Sequence, residues 1–386
     1  MNIEPIFYPP SKDELKNRLV RLQSIMEKNG LDYYVAFSPD NILYLTNFAT
    51  NVHERPFILV VPQKGKLQFV VPQLEMPHVR TRAVADLELI SYFEFPAPKG
   101  QAWSDRFKEL FTSNCKVGVE SICPLQIYTE IPGERLLIDI IDDIRMIKSD
   151  YEKGRLAYSC NLATHAHNMF LESAHVDMTL TQMNSKVREF IFRQLLLDDP
   201  ELNPVATKMI AVFQPPSISF DPHNFTNINM QMEEGGPHIS IINAVMNGYG
   251  AEIERTFFLG QVPEKAKKPF EIMLEGRRIA FEMAKPGNLM SDVDQKVNDY
   301  FRKVGMGENL LHRTGHGMGV TSHEAPFFAE GYEYPIQEGM SFTIEPGIYI
   351  EGIGGFRHSD TILIGKDGPI MLTDGPITMD ELTLSI

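Results

Sequence analysis

Cysteine is scarce. The 386 residues hold three, Cys115, Cys123 and Cys160, with no Cys-x-x-Cys pair, so a disulfide framework is excluded and reduced interior thiols are expected. Basic residues are also few, 36 Lys and Arg against 51 Asp and Glu, for a formal net charge of −15. That balance argues against a nucleic-acid partner, because phosphate binding needs clustered cations that displace counterions. No window approaches the roughly 20 apolar residues that a bilayer-spanning helix requires. The opening MNIEPIFYPPSKDELKNR has no apolar stretch after a basic start, so a cytoplasmic protein without a membrane partner is expected. Repeats of about 20–50 residues and low-complexity tracts are absent as well.

What is present is a chain with 43% apolar residues, longer than the roughly 250–300 residues at which single cores stop growing, so two domains are expected. Ser11 and Glu14 have capping-box spacing ahead of Leu15, Leu19, Leu22 and Met26, with Gly30 as a stop, which predicts a first amphipathic helix. β-rich runs at 32–38, 56–62, 67–72 and 115–120 alternate with helical stretches, as in a small α/β domain. A second capping box, Ser149 to Glu152, opens a long helix of different character. The boundary is placed there, giving domains 1–148 and 149–386. Beyond it the pattern predicts helices over 150–174, 179–197 and 264–284 and a shorter one after Ser291. Strands are predicted at 208–214, 238–246, 253–259, 340–344, 347–350 and 361–364, an α+β half in which helices back an antiparallel sheet.

In this half the polar residues able to react gather at turns and strand ends: His223 in FDPHN, Glu252 and Glu254 in GYGAEIERTF, His316 and His323 in TGHGMGVTSHEAP, and Glu345 in FTIEPGIY. Each alone reads as a satisfied hydrogen-bond partner; together they suit one cleft. Glycines on both sides of His316 allow close backbone approach, and Pro346 bars a helix after Glu345.

The segments TGHGMGVTSHEAP, EGMSFTIEPGIY and NGYGAEIERTFFLG, with DPHN, IKSDYE and NILYLTNF, resemble the pita-bread superfamily of creatinase, prolidase and aminopeptidase P over nearly the whole chain. The resemblance implies a C-terminal pita-bread fold behind a smaller N-terminal creatinase-like α/β domain. It also implies two metal ions in the peptidases of that superfamily, on two Asp, one His and two Glu. The His corresponds to His316 and the first Glu to Glu345. The second Asp falls at Glu252, the first at Ile241, or at Asn243 with a shorter hairpin, and the last Glu at Ser359. Two divalent cations about 3.5 Å apart repel by roughly 5 kcal/mol even in bulk water. With so few carboxylates left, no metal cofactor is expected; Mn, Zn or Co is the alternative.

Creatinase, the metal-independent member, hydrolyses a guanidinium C–N bond, and ERTFFL and NVHERPFILVV are similar to its segments. That similarity implies Glu254 and Glu345 as a guanidinium clamp, His223 as the proton-transferring group, and Arg55 as a carboxylate-binding residue given across a homodimer. A second such arginine of creatinase falls near Phe327. His316 and His323 would line the pocket, with Tyr249 and Phe327 beside the substrate. The first expectation is therefore a metal-independent hydrolase of a C–N bond in a small carboxylate-bearing substrate, such as a guanidino acid or ectoine. The alternatives are an Xaa-Pro dipeptidase or aminopeptidase with an atypical metal site, and a catalytically silent binding protein.

Overall fold

The computed structural model describes residues 3–200, 202–225 and 227–386. It divides into two units: Tyr8–Arg145, and Met146–Ile386 with the segment that ends at Phe7. Among the described residues, no helix is long and apolar enough to cross a membrane.

In the first unit α1 (Lys12–Lys28) begins where Ser11 Oγ accepts the Glu14 amide at 3.1 Å. Its buried Leu15, Leu22 and Met26 follow the predicted stripe. The Glu14 side chain turns to Arg18 Nε instead of closing the box. There follow β1 (Tyr33–Ala36), α2 (Pro39–Thr46), β2 (Ile58–Pro62), β3 (Leu67–Pro72), α3 (Met76–Arg82), β4 (Leu87–Tyr92), α4 (Trp103–Lys108), β5 (Lys116–Val119), α5 (Leu125–Tyr128), β6 (Glu134–Leu137) and α6 (Ile140–Met146). Among the described residues they form a six-stranded mixed sheet, β4-β3-β2-β1-β5-β6. Sequence patterning missed the edge strands β4, which is mostly half-buried, and β6, which is mostly exposed and carries Glu134 and Arg135.

In the second unit Ser149 closes both halves of its capping box, accepting the Glu152 amide at 3.2 Å while Glu152 Oε2 accepts the Ser149 amide at 3.0 Å. The box starts α7 (Asp150–Ser173), followed by α8 (Leu180–Asp198), β7 (Lys208–Gln214), β8 (Gly235–Met246), β9 (Tyr249–Leu259), α9 (Glu264–Met283) and α10 (Met290–Lys303). The remaining strands are β10 (Gly315–Gly317), β11 (Glu324–Phe328), β12 (Ser341–Ile344), β13 (Gly347–Ile350), β14 (Gly354–Arg357), β15 (Ser359–Ile364), β16 (Pro369–Met371) and β17 (Thr383–Leu384). Among the described residues nine strands share one sheet, along the path β11-β10-β12-β15-β9-β8-β7, with β16 on β15 and β17 on β9. The second unit thus has the α+β pita-bread architecture, and the first is a smaller α/β unit.

The β8–β9 hairpin is the spine of this sheet. Asn247 and Gly248 have φ of 47° and 88°, the left-handed pair of a two-residue hairpin turn. The second strand therefore starts at Tyr249, four residues ahead of the expected 253. Every residue of both strands is buried, because α7 packs on both and β14 also contacts both. The register pairs Ile241 with Glu254 and Asn243 with Glu252, so these four positions lie on one face.

The opposite face holds a buried ion cluster. Asp360 on β15 accepts from Arg255 Nη2 at 2.8 Å, from Arg277 Nη2 at 2.6 Å and from Thr373 Oγ1 at 2.9 Å. Burial works to raise the Asp360 carboxyl, and the two guanidinium groups outweigh it and hold it below the usual range. Asp360→Asn leaves two buried cations undercompensated and is expected to cost about 3–5 kcal/mol. Urea unfolding of the variant checks this, and a loss below about 1 kcal/mol contradicts it.

Candidate functional site

Four segments of the second unit bring the reactive side chains to the hairpin face. Strand β9 carries Glu252 and Glu254, β10 carries His316, Glu345 follows β12, and Ser359 opens β15 opposite Glu254. The glycines around His316 are required by packing: a Cβ at Gly315 would sit 2.1 Å from the Thr343 carbonyl oxygen. One at Gly317 would sit 2.5 Å from the carbonyl oxygens of Glu324 and Ala325. At Gly319 it would meet Glu324 Oε1 at 2.0 Å, so the loop between β10 and β11 closes over the Glu324 side chain, which Lys148 Nζ holds at 2.9 Å.

His316 is 2% exposed. Its Nδ1 donates to the Gly317 carbonyl at 3.1 Å, which leaves Nε2 as the lone-pair nitrogen. That Nε2 is buried without a hydrogen bond, 3.2 Å from Glu345 Oε1 and 3.8 Å from Glu252 Oε2. Burial lowers the His316 imidazole to about 4 against the pull of Glu252, so the ring is neutral near pH 7. Glu252 accepts from Ser359 Oγ at 2.7 Å through Oε1 and from Asn243 Nδ2 through Oε2. The carboxyl of Glu345 stands well above the ordinary range, first through burial and then through Glu252 and Glu254. Burial likewise pushes Glu254 up to about 7 against the attraction of Arg357.

Two residues that sequence reasoning did not single out complete the polar network. Arg357 donates from Nη2 to Glu254 Oε1 at 3.0 Å, from Nε to Glu254 Oε2, and from Nη1 to Tyr349 Oη at 2.8 Å. His312 Nδ1 donates to the Arg313 carbonyl at 2.8 Å, so its Nε2 accepts from Tyr349 Oη at 2.7 Å. Burial, then the Arg357 charge, lowers His312 to about 3. A third is Arg313, whose guanidinium lies 4.3 Å over the Phe327 ring with its Nε buried and unpartnered. The only local signal was an His-Arg step just before TGHG.

The other expected positions divide. His323 stacks on His316, ring centroids 3.9 Å apart, and burial lowers its imidazole. His223 is exposed on the connection between β7 and β8, 6.3 Å from the Phe225 ring and within electrostatic reach of His312 and His323. Phe327 pairs with His316 across β10 and β11. Tyr249 points to the far face of β9, against Tyr151 and Arg155. Ile241 joins Ile239 and Tyr349 in a small apolar cluster. Arg55, in the first unit, is held at 2.5 Å by both Glu54 and Glu94.

Ligand atoms of Glu252, His316 and His323 all lie within 4.8 Å of one another, as do those of Glu252, Glu254 and Glu345. A buried imidazole nitrogen with no partner, aimed among carboxylates, is what a divalent cation fits. Three clustered carboxyls facing the single guanidinium of Arg357 give the same reading from charge.

Comparison with known proteins agrees. Residues 154–366 match metallopeptidase family M24 and residues 18–147 match the creatinase/prolidase N-terminal domain. An Xaa-Pro dipeptidase of Pyrococcus furiosus is 26% identical over 365 residues, 93% of this chain and 98% of the relative. The crystal structure of a prolidase from Pyrococcus horikoshii superposes with a TM-score of 0.78 at 25% identity, covering 94% of this chain and 100% of that one. The N-terminal domain of the FACT complex subunit SPT16 from Cicer arietinum shares the fold alone, with a TM-score of 0.78 at 16% identity.

These findings correct two expectations. The reading as a metal-independent, creatinase-like hydrolase is overturned by full-length relatives that are Xaa-Pro dipeptidases. The geometry supplies the reason: both oxygens of Glu254, assigned to a substrate guanidinium, are taken by the chain's own Arg357. The expectation of no metal cofactor is overturned by the match to a metallopeptidase family and by the unpartnered His316 nitrogen among carboxylates. With more than half of its length inside that match, this chain belongs to metallopeptidase family M24, hydrolases of peptide C–N bonds, and carries a creatinase/prolidase N-terminal domain ahead of the catalytic half.

Proposed function

We propose that this protein is a divalent-metal-dependent dipeptidase that cleaves Xaa-Pro dipeptides. The observation that carries the reading is the lone-pair nitrogen of His316, buried and unpartnered beside Glu252 and Glu345, in a chain aligned nearly end to end with Xaa-Pro dipeptidases. Glu252 and His316 would hold the ion. When bound, such an ion polarises the scissile carbonyl and makes water acidic enough to attack at neutral pH.

The chain's own groups then divide the remaining work. Glu345, raised by burial and by its carboxyl neighbours, is suited to hold a proton at neutral pH and deliver it to the leaving proline nitrogen. Arg357 engages both oxygens of Glu254 and fixes Tyr349 and His312 in one hydrogen-bonded row. His223, exposed, contacts the substrate at the open side. Arg313 has no ion-pair partner among the described residues and stacks on Phe327 beside His316. It is placed to take the carboxylate that a dipeptide carries one residue from the scissile bond. The proposal extends to a cytoplasmic homodimer, supported by the creatinase-like segment around Arg55.

Wild-type protein is expected to hydrolyse Xaa-Pro dipeptides, to lose that activity to chelator and to regain it with Mn2+, Zn2+ or Co2+. Chelator-resistant turnover, or cleavage of guanidino acids in place of dipeptides, would sink the reading.

Arg313→Met should raise KM for the dipeptide by about 10-fold or more with little change in kcat. For the same dipeptide with a C-terminal amide, KM should be unaffected. Equal losses on acid and amide would remove Arg313 from carboxylate recognition.

Glu345→Gln should lower kcat by about 100-fold or more with the fold intact. Because the Glu345 carboxyl is raised in the folded protein, its stabilising contribution is complete below its ordinary value near 4.5 and is lost as pH rises through the raised value. In chelator-treated protein the Tm of Glu345→Gln should therefore gain on wild type between pH 5 and pH 8. A Tm difference that does not move with pH would show that the carboxyl is not raised.

A further inference from the structure

We infer that the site holds one divalent ion, not a pair, and that His323 is its third protein ligand beside Glu252 and His316. The inference rests on the metal-dependent reading above and concerns which residues bind and how many ions.

The donor geometry favours one of the two clusters. His316 presents Nε2 with its proton fixed on Nδ1 by the Gly317 carbonyl, the arrangement in which an imidazole serves as a metal ligand. His323 is stacked on it with an interplanar angle of 23°, and the donor atoms of both rings and Glu252 lie within 4.8 Å of one another. Two imidazoles and one carboxylate with an open side are the donor set of a borderline cation such as Zn2+.

The second cluster is closed to an ion. Both oxygens of Glu254 are engaged by Arg357, a cation that cannot be deprotonated and that stands where a second metal's charge would fall. The uncharged Asn243 and Ser359 donate to the two oxygens of Glu252 from its flanks, so they hold its carboxylate without adding charge.

Charge sets the number. At most three carboxylate charges, those of Glu252, Glu254 and Glu345, face the single charge of Arg357, a net of two at most, which one divalent ion cancels in full. A second would leave the buried site with a surplus of two positive charges, and Arg313 nearby adds to it.

The test is a titration of the full chain, stripped with chelator and dialysed, with Zn2+ alone, followed by calorimetry and elemental analysis. One Zn2+ per chain is expected. Replacing the exposed His323 by Ala or by Gln should weaken its binding by more than the roughly 10–100-fold of an outer-shell change. Two ions per chain, or one ion held equally well by both His323 variants, would overturn the inference and leave the dipeptidase reading standing. No bound Zn2+ in wild type would overturn both.

Discussion

The Asp360 carboxylate anchors the larger unit. It lies at zero exposure between Arg255 and Arg277, and Arg255 also donates to the carbonyl oxygens of Glu254 and Ser359. One guanidinium therefore ties β9 to β15 from behind. Buried ion clusters are weak evidence for net stability, since desolvation consumes most of the attraction. Their value here is positional: with the two strands clamped on one face, Glu252, Glu254 and Ser359 have no freedom to separate on the other.

The front face continues the same logic with different stakes. Glu254 is neutralised within the chain by Arg357, while Glu252 and Glu345 are left with hydroxyl and amide donors and a neutral imidazole. Negative charge is thus crowded in a buried cluster, and burial raises the Glu254 and Glu345 carboxyls accordingly. A cation relieves this, which is why the unpartnered nitrogen of His316 and the elevated Glu345 belong to one account. The glycines on either side of His316 admit the backbone oxygens of Thr343, Glu324 and Ala325, and the Gly317 carbonyl fixes the ring.

Much of the candidate site is legible in the amino-acid sequence. His316, Glu345, Glu252 and Glu254 stand out as polar residues at strand ends amid apolar runs, and their motifs place them in one superfamily. What misleads is Glu254: its local segment resembles a guanidinium clamp, and only the fold shows that the guanidinium it holds is Arg357, 103 residues away. Tyr249 misleads for a related reason. The Asn247–Gly248 turn sets the strand's start, and strand alternation then sends Tyr249 to the face opposite Glu252. Arg313 and His312 give no periodic signal; each acquires meaning from a ring or hydroxyl contributed by a distant strand.

The sequence alone determined most of the elements and their order, because capping boxes and apolar periodicity act over a few positions; Ser149 with Glu152 and the glycines around His316 are examples. It also determined which chemical groups exist, including the uncharged Asn243 and Ser359. Tertiary structure alone decided how those groups are shared. Whether a buried carboxylate is spent on an arginine or left for a cation depends on distances of about 2–4 Å between strands far apart in the chain, and no local pattern encodes them.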